Sequence, residues 1–366
     1  MTRAKARDIM NIVSDILTYS VMSAPILSLR AIEEQSKFFE TRAQLNVILI
    51  SSFGSGKGTL FRQIEERGLG LRLTDYTTAG ILGTIRPSGK LTLPITTKCA
   101  GKTLCIDEFQ KFGKTQKDAL LSLMEDQYYR KPLGFDVAPP VEVKEKYWSA
   151  RAVGNTYMIH VKCSYICGCM YFRRKTIDDL ALLSRGIPIV LTMEEDEALE
   201  LFMGKSRLSL NERLLRHYKK MDAEFVTVGR DVRKLATELF KEQAKGMRIE
   251  PGFVTRALWD IIRMSAVRAL IKGRTEILED DLYDIVPAIP IQVLGYARGN
   301  LTFKQMEIYS LICKEQEGIT PEKIIEITEY SESTVMQALK QLTQSGLVDV
   351  VRVGKHTVYM PKLKLI

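Results

Sequence analysis

A glycine-rich turn that contains one lysine is the stretch of this chain best suited to chemistry. The turn, Gly54–Thr59, reads GSGKGT and lies between an apolar run, Val47–Ile50, and a segment with a helical pattern, Leu60–Arg67. Glycines allow several backbone N–H groups to point into one cavity, and the N-terminus of the following helix adds partial positive charge. Lys57 adds a full positive charge. Together these features predict a binding site for a polyphosphate.

The turn departs from the usual phosphate-binding loop, or P-loop, in two places. That loop begins with Gly and has Ser or Thr directly after its lysine, whereas this chain has Ser51 and Gly58 at these positions. Thr59 carries the next hydroxyl and is the candidate ligand for Mg²⁺. We expect ATP to be held by the six residues of the turn, namely Gly54, Ser55, Gly56, Lys57, Gly58 and Thr59.

Two acidic residues follow a second apolar run. The segment Lys102–Phe112 reads KTLCIDEFQKF and predicts a strand that ends at Asp107 and Glu108. Ligands of open α/β sheets bind at the carboxyl ends of the strands. At that edge Asp107 is placed to hold Mg²⁺ through water, and Glu108 to polarise the water that attacks the γ-phosphate. The pair therefore predicts an ATPase.

Composition and cysteine spacing narrow the class of protein. The chain has 366 residues and a formal net charge of +9, which favours polyanionic partners. The six cysteines lie mostly in apolar runs, as in reducing compartments. His160, Cys163, Cys167 and Cys169 lack the spacing of paired metal ligands, so we predict that they are packing residues. No apolar segment is long enough to cross a bilayer, and we expect a cytoplasmic protein.

The hydrophobic pattern and the turn residues divide the chain into five parts. The linker is predicted from Pro290, Gly295 and Gly299. The parts are two N-terminal helices (1–43), an α/β unit with β-hairpin insertions (44–195), a helical lid (196–290), the linker (291–300) and a C-terminal domain (301–366).

The C-terminal part has the pattern of a winged helix-turn-helix domain, with three helical runs followed by two strands. Thr320 and Ser331 stand at predicted N-caps, and Pro321 takes a first helical position. Lys355 lies at the turn between the strands, where it is available to a DNA backbone. Because acidic and basic residues balance across this tail, a protein-docking or regulatory module is an equal alternative.

Two insertions carry basic residues. Thr74–Leu93 predicts a β-hairpin with Arg86 and Lys90 near its tip. Gln127–Tyr157 interleaves basic and aromatic residues, a composition suited to a nucleic-acid backbone, and a solvated insertion is the alternative. The basic residues of this second insertion include Lys144, Lys146 and Arg151.

Three motifs, in this order, resemble those of the minichromosome maintenance (MCM) helicases, a branch of the AAA+ ATPases. They are Cys105–Phe109, Leu183–Arg185 and Thr255–Leu258. The resemblance covers about residues 47–289 and continues into the tail. It implies an α/β AAA+ core with a parallel sheet and a helical lid, followed by a winged helix domain. It also implies ATP and Mg²⁺ as cofactors and a homo-oligomeric ring, a hexamer, with sequence-tolerant DNA in its channel.

The resemblance also implies roles for single residues. Arg185 looks like the arginine finger, and Arg256 like the lid arginine that contacts the γ-phosphate, both acting on the nucleotide of a neighbouring subunit. The hairpin with Arg86 and Lys90 and the segment around Arg151 resemble two hairpins of the family that touch the DNA backbone.

Several departures from the family change the expected activity. Met170 stands where the family has a sensor asparagine, and Gly58 replaces a serine. We also expect no N-terminal DNA-binding collar of the kind that the family carries before its ATPase domain. We therefore expect a minimal or diverged relative that hydrolyses ATP slowly. The alternative function is a nucleotide-switched, non-motor DNA-binding initiator or regulator that acts through its winged helix. A third alternative, a nucleoside-phosphate kinase, depends only on Gly58 and Thr59.

Overall fold

The computed structural model describes residues 3–33, 37–51, 55–74, 77–170, 177–191, 208–247, 249–299, 301–315 and 317–362. Its strands are β1 (Ser28–Ile32), β2 (Phe38–Thr41), β3 (Val47–Ser51), β4 (Gly70–Leu73), β5 (Thr84–Ile85), β6 (Leu91–Thr92), β7 (Thr103–Ile106), β8 (Tyr128–Pro132), β9 (Val141–Lys144), β10 (Trp148–Val153), β11 (Thr156–Val161), β12 (Ser164–Cys169), β13 (Ile187–Leu191), β14 (Phe225–Val228), β15 (Glu276–Ile277), β16 (Val348–Val353) and β17 (His356–Pro361). Its helices are α1 (Arg3–Ser23), α2 (Lys57–Glu66), α3 (Thr78–Leu82), α4 (Lys114–Asp126), α5 (Ile177–Leu183), α6 (Glu212–Leu215), α7 (Arg230–Gln243), α8 (Pro251–Ile271), α9 (Glu279–Ile285), α10 (Ala288–Gly299), α11 (Phe303–Lys314), α12 (Pro321–Thr328) and α13 (Glu332–Gln344).

A five-stranded parallel sheet forms the centre of the fold, in the order β13-β3-β12-β7-β4. All side chains of β3, β7 and β12 are buried, which explains their nearly continuous apolar sequences. The predicted α/β class with a parallel sheet is confirmed. Because the strands run in one direction, the residues that follow β3, β7 and β12 lie at the same edge of this sheet. We call it the carboxyl edge, and the opposite edge the amino edge.

Residues 291–299 of the predicted linker are instead part of a buried helix, α10, which packs against β13. The reason lies in its glycines. A Cβ atom at Gly295 would lie 1.7 Å from the carbonyl oxygen of Pro188, and one at Gly299 would lie 3.2 Å from Leu183. These glycines allow a helix to approach a strand closely, and the sequence alone did not distinguish this use of glycine from a flexible turn.

The described residues of the N-terminal part contain one helix, not the two that were predicted. After α1 the chain enters β1 and β2, which belong to a four-stranded sheet in the order β15-β14-β1-β2. β1 is parallel to β14, with Leu29 opposite Val226, and both side chains are buried. The pairing with a strand about 200 residues away overrides the local helical preference. β14 and β15 also lie inside the part predicted as a helical lid.

The basic insertion at residues 127–157 is mostly a sheet. β8, β11, β10 and β9 form a four-stranded antiparallel sheet in this order. The apolar residues 156–169 form two strands, β11 in this sheet and β12 in the central sheet. In the other insertion the hairpin β5–β6 is confirmed. The residues of α3, which lie inside the segment predicted as the hairpin, form a helix instead.

The C-terminal residues form three helices and an antiparallel strand pair, as predicted. The side-chain oxygens of Thr320 and Ser331 accept hydrogen bonds from the first turns of α12 and α13, as expected for N-caps. Their apolar core includes Leu294 and Ala297 of α10, so it is continuous with the preceding helix. Across the described residues, no helix combines the length and apolar character that a membrane span requires.

Candidate functional site

Lys57 lies at the carboxyl edge of the central sheet, in the first turn of α2. Gly56 precedes it with φ 84°, a left-handed conformation that favours glycine. The Lys57 ammonium group donates hydrogen bonds to Ser51 Oγ and, at 3.3 Å, to Ser55 Oγ, and these two hydroxyl oxygens are 2.6 Å apart. The lysine stem crosses Gly168 of β12, where a Cβ would lie 3.2 Å from Lys57 Cδ. We call the turn Gly54–Thr59 the phosphate cradle. Its first residue, Gly54, is outside the described residues.

The two predicted acids lie at the same edge, directly after β7. The backbone N–H of Asp107 donates to the carbonyl of Leu73 at 3.0 Å, which fixes the acid beside the edge strand β4. Glu108 has φ 53°, a left-handed conformation that is rare for a residue with a side chain, and it forms an ion pair with Lys111. Burial lowers the pKa of Lys57, and the charges of both acids oppose this shift. The lysine and the two acids therefore share one electrostatic environment.

Arg72 is a residue of this edge that the sequence did not predict. It lies on β4, and its Nη2 atom is 2.5 Å from Asp107 Oδ2. A Cβ at Gly58 would lie 3.7 Å from the same Nη2 atom, and Thr59 is exposed on α2. The arginine therefore occupies the space between the predicted acid and the start of α2.

This arrangement does not fit Mg²⁺, which prefers an octahedral set of oxygen ligands. Gly58 has no hydroxyl, and Asp107 is neutralised by a guanidinium group. In the described residues, no three His, Cys, Asp or Glu side chains are grouped so that they could hold a metal ion. All six cysteines are free thiols, and five are buried, in agreement with the predicted packing role.

The two predicted arginines meet at the amino edge. Arg185 Nη2 is 2.6 Å from Glu125 Oε2, and Arg256 Nη2 donates to the other oxygen of the same carboxylate. Arg185 also donates to the backbone carbonyls of Leu121 and Ala181 at 2.9 and 2.5 Å. The motifs that contain these arginines are 70 residues apart in sequence, yet one carboxylate of α4 holds both side chains. The sequence predicted each arginine but not Glu125.

Positive charge is in excess around this carboxylate. Arg42 donates to the carbonyls of Met124 and Arg185, and burial together with the charge of Arg263 lowers the pKa of Arg42 to about 9. Burial alone would raise the pKa of Glu125, but the hydrogen bond from Arg256 and the charges of the nearby arginines outweigh it, so the pKa is lowered. The acid therefore stays ionised at neutral pH.

A cavity of about 560 Å³ opens beside these arginines, and Arg256, Glu125 and His160 are among the residues that line it. Burial and the charge of Lys162 lower the pKa of His160 to about 4. The histidine is therefore neutral at pH 7, and the positive charge of the cavity comes from its arginines and Lys162.

The predicted DNA-binding residues are exposed and fall into separate groups. The hairpin that carries Arg86 and Lys90 contacts the loop before β9, where the N–H of Ala138 donates to the carbonyl of Pro87 at 3.2 Å. Lys144 and Arg151 lie on β9 and β10 of the sheet that this loop enters.

The remaining two predicted residues are Lys146, in the connection between β9 and β10, and Lys355. Lys146 forms an ion pair with Asp222 at 2.5 Å, and Lys355 lies at the turn between β16 and β17. Arg130 of β8 is a further exposed basic residue, which was not predicted from the sequence. Arg130 and Arg151 lie opposite Met158 of β11, one on each side. The structure thus brings five of the six predicted residues to one insertion and its contacting hairpin, and Lys355 lies apart from them.

Comparison with known proteins adds no identification. No protein-family model matches this chain, and a search of curated protein sequences found no match. The resemblance to MCM helicases therefore depends on the sequence motifs alone.

Proposed function

We propose that this chain is an MCM-like AAA+ ATP-binding protein that assembles into a ring on DNA, with each ATP shared by two neighbouring copies. The observation that carries the proposal is the placement of the candidate residues on opposite edges of one sheet. Lys57 and the two acids lie at the carboxyl edge, whereas Arg185 and Arg256 meet at the amino edge. Such a chain supplies both halves of a site but does not close one by itself.

At the carboxyl edge, the chain's own residues bind the triphosphate. The N–H groups at the start of α2 and the Lys57 ammonium group bind the β- and γ-phosphates. Ser51 and Ser55 hold the ammonium group in place before the nucleotide binds. Glu108 orients the attacking water. Its left-handed backbone is a strained feature of the kind that is found at functional sites.

At the amino edge, the chain supplies guanidinium groups to the nucleotide of its neighbour. The transition state of phosphoryl transfer spreads negative charge over oxygens that the arginine fork matches well. Glu125 holds Arg185 and Arg256 together in the isolated chain. On assembly the γ-phosphate replaces this carboxylate as their partner, so that both arginines reach the same nucleotide.

The exposed basic residues of the antiparallel sheet and its contacting hairpin bind the DNA backbone. Four basic residues of this surface are exposed, namely Arg86, Lys90, Lys144 and Arg151. None of them forms an ion pair with another residue that the structure describes. Contacts of this kind do not read bases, so the binding is sequence-tolerant and weakens as salt concentration rises.

Complementation between two inactive variants tests this proposal. Lys57→Ala removes the cradle lysine, and Arg185→Ala removes the arginine that acts on the neighbour. Each variant alone is expected to lack ATP hydrolysis, and a mixture is expected to regain part of it, because a Lys57→Ala copy supplies its arginine to an intact cradle. Particle mass measured with an ATP analogue and DNA provides the second readout. No recovery in the mixture, together with a monomer under all conditions, would refute a shared site.

A nucleotide-switched, non-motor DNA-binding regulator is the second candidate, and the Arg72–Asp107 ion pair favours it. Met170 follows β12, between the cradle and the acids, where it offers no hydrogen-bond donor of the kind that an asparagine would. Such a protein would bind ATP and assemble without turning it over. Equal ATP hydrolysis by the wild type and Glu108→Gln, with and without DNA, would favour the regulator.

The role of the C-terminal domain in this second candidate is best tested by charge reversal. Deleting residues 301–366 would expose the side chains of Leu294 and Ala297 on α10. Arg352→Glu combined with Lys355→Glu leaves that core intact, since both residues are exposed. A regulator is expected to lose DNA binding in this variant, whereas a protein that binds DNA in its channel keeps most of it.

A further inference from the structure

Arg72 lies where a metal ion would be expected in a nucleotide site of this kind. Its Nη2 atom is 2.5 Å from Asp107 Oδ2, the acid predicted to hold the metal. The side chains of Arg72 and Asp107 are 28% and 18% exposed, so this pair is partly shielded from water and salt. The positive charge beside Asp107 is therefore the guanidinium group of Arg72 and not a metal ion.

The position of Gly58 supports the same interpretation. In the usual loop the residue after the lysine carries the hydroxyl that binds Mg²⁺. Here a Cβ at Gly58 would lie 3.7 Å from Arg72 Nη2, so the guanidinium group lies beside the position from which that hydroxyl would project. The site thus departs from the usual loop in two ways, a missing hydroxyl and an added guanidinium group, and both departures lie beside Gly58.

A purely structural role does not account for this arginine. β4 and β7 are already joined by their parallel pairing and by the bond from the Asp107 N–H to the Leu73 carbonyl. The Nε atom of Arg72 is buried and has no hydrogen-bond partner among the residues that the structure describes. A donor in this state beside a phosphate cradle is suited to an anionic oxygen.

We infer that Arg72 takes the place of Mg²⁺ at this edge, so that the cradle binds a metal-free nucleoside triphosphate. The inference depends on the proposed nucleotide site and specifies the form of its ligand. Arg72 supplies one positive charge beside that of Lys57, and the planar fork of the arginine can bind two oxygens at once. A magnesium ion would have to displace the guanidinium group from Asp107 before it reached the acid.

The experiment is a titration of the full-length protein with ATP by calorimetry, once with Mg²⁺ and once with EDTA. The wild type is expected to bind ATP with about the same affinity in both. Arg72→Ala is expected to lose about tenfold to 100-fold in affinity for metal-free ATP, as removal of a charged hydrogen-bond donor predicts. Arg72→Lys, which keeps the charge but not the fork, is expected to lose less. Arg62→Ala, an exposed arginine of α2, is the matched control.

A second variant reverses the preference. Arg72→Ala combined with Gly58→Ser removes the guanidinium group and restores the hydroxyl, and it is expected to bind ATP more tightly with Mg²⁺ than with EDTA. Wild-type binding that requires Mg²⁺, or an Arg72→Ala variant that binds metal-free ATP as the wild type does, would overturn the inference and leave the nucleotide site in place. An absence of ATP binding by the wild type in both buffers would refute the nucleotide site itself.

Discussion

The two edges of the central sheet differ in how their charges are balanced. At the carboxyl edge each acid has a basic partner, Asp107 with Arg72 and Glu108 with Lys111, and Lys57 is held by hydroxyl groups. At the amino edge one carboxylate, Glu125, holds two arginines. β3 has five residues, so the edges are about 16 Å apart. In the proposed ring, an anion that contacts both edges lies between two copies of the chain.

This difference shows what each edge is suited to do. The carboxyl edge presents backbone N–H groups and a positioned ammonium group, which bind an anion in the ground state as well as in the transition state. The arginines of the amino edge are held by a carboxylate that a more highly charged anion can replace. We therefore expect the carboxyl edge to determine affinity and the amino edge to determine turnover.

The largest expected effect is on turnover at the amino edge. Arg185→Ala is expected to lower ATP turnover by about 1,000-fold, the loss typical of a missing arginine finger, while ATP affinity changes by less than about threefold. Lys57→Ala is expected to show the opposite pattern and to lose about 100-fold in affinity. Steady-state kinetics and calorimetry measure the two quantities.

Arg213→Ala is the control for this pair, since Arg213 is exposed on α6. The comparison between the edges would fail if Arg185→Ala lost as much affinity for ATP as Lys57→Ala does. In that case both edges would contact the nucleotide in its ground state.

The next effect concerns the stability of the protein and depends on the contact between α10 and β13, the strand that follows Arg185. Gly295→Ala is expected to lower the free energy of unfolding by about 3 kcal/mol, because the added methyl group would overlap the Pro188 carbonyl. Denaturant unfolding measures this change. Gly252→Ala in α8 is the control, since a Cβ there meets no atom within 4 Å, and it is expected to be neutral. Equal stability of both variants would show that α10 does not approach β13 this closely.

The smallest effect is a pH dependence of the free energy of unfolding, which arises from His160 in the cavity beside the arginines. Burial and the charge of Lys162 lower the pKa of His160 to about 4, so the unfolded chain binds a proton at higher pH than the folded chain does. The stability is therefore complete above about pH 6.5 and falls as the pH decreases towards 4, by about 2 kcal/mol for this partly exposed ring. Denaturant unfolding between pH 7 and pH 4 is expected to show a shallower loss for His160→Gln. Parallel losses in the two proteins would contradict the assignment to this histidine.

Local pattern was sufficient where a feature depends on neighbours in sequence. Val47–Ile50 and the run before Asp107 are continuously apolar, as strands buried on both faces require, and they were predicted with nearly the bounds observed. Thr320 and Ser331 are N-caps as predicted. Parallel strands bring their carboxyl ends together, so the positions of Lys57 and Asp107 at one edge also followed from pattern.

Pattern was misleading where a residue acts through a distant partner. Gly295 has the composition of a linker residue, and only the Pro188 carbonyl shows that it is a packing position. β1 was predicted to be helical, and its pairing with β14 makes it a strand. Arg72 lies in a four-residue edge strand whose sequence, GLRL, gives no indication of the carboxylate beside it.

The sequence by itself determined the parallel α/β core and predicted Lys57 and the two acids as site residues, because each follows from residues that are adjacent in the chain. The two arginines were predicted from the resemblance to a family. The tertiary structure decided how these groups are paired: Arg72 with Asp107, and Arg185 and Arg256 with Glu125. Electrostatic interactions fall off within a few ångströms in a partly exposed site, so their partners depend on distances in space that chain spacing does not encode.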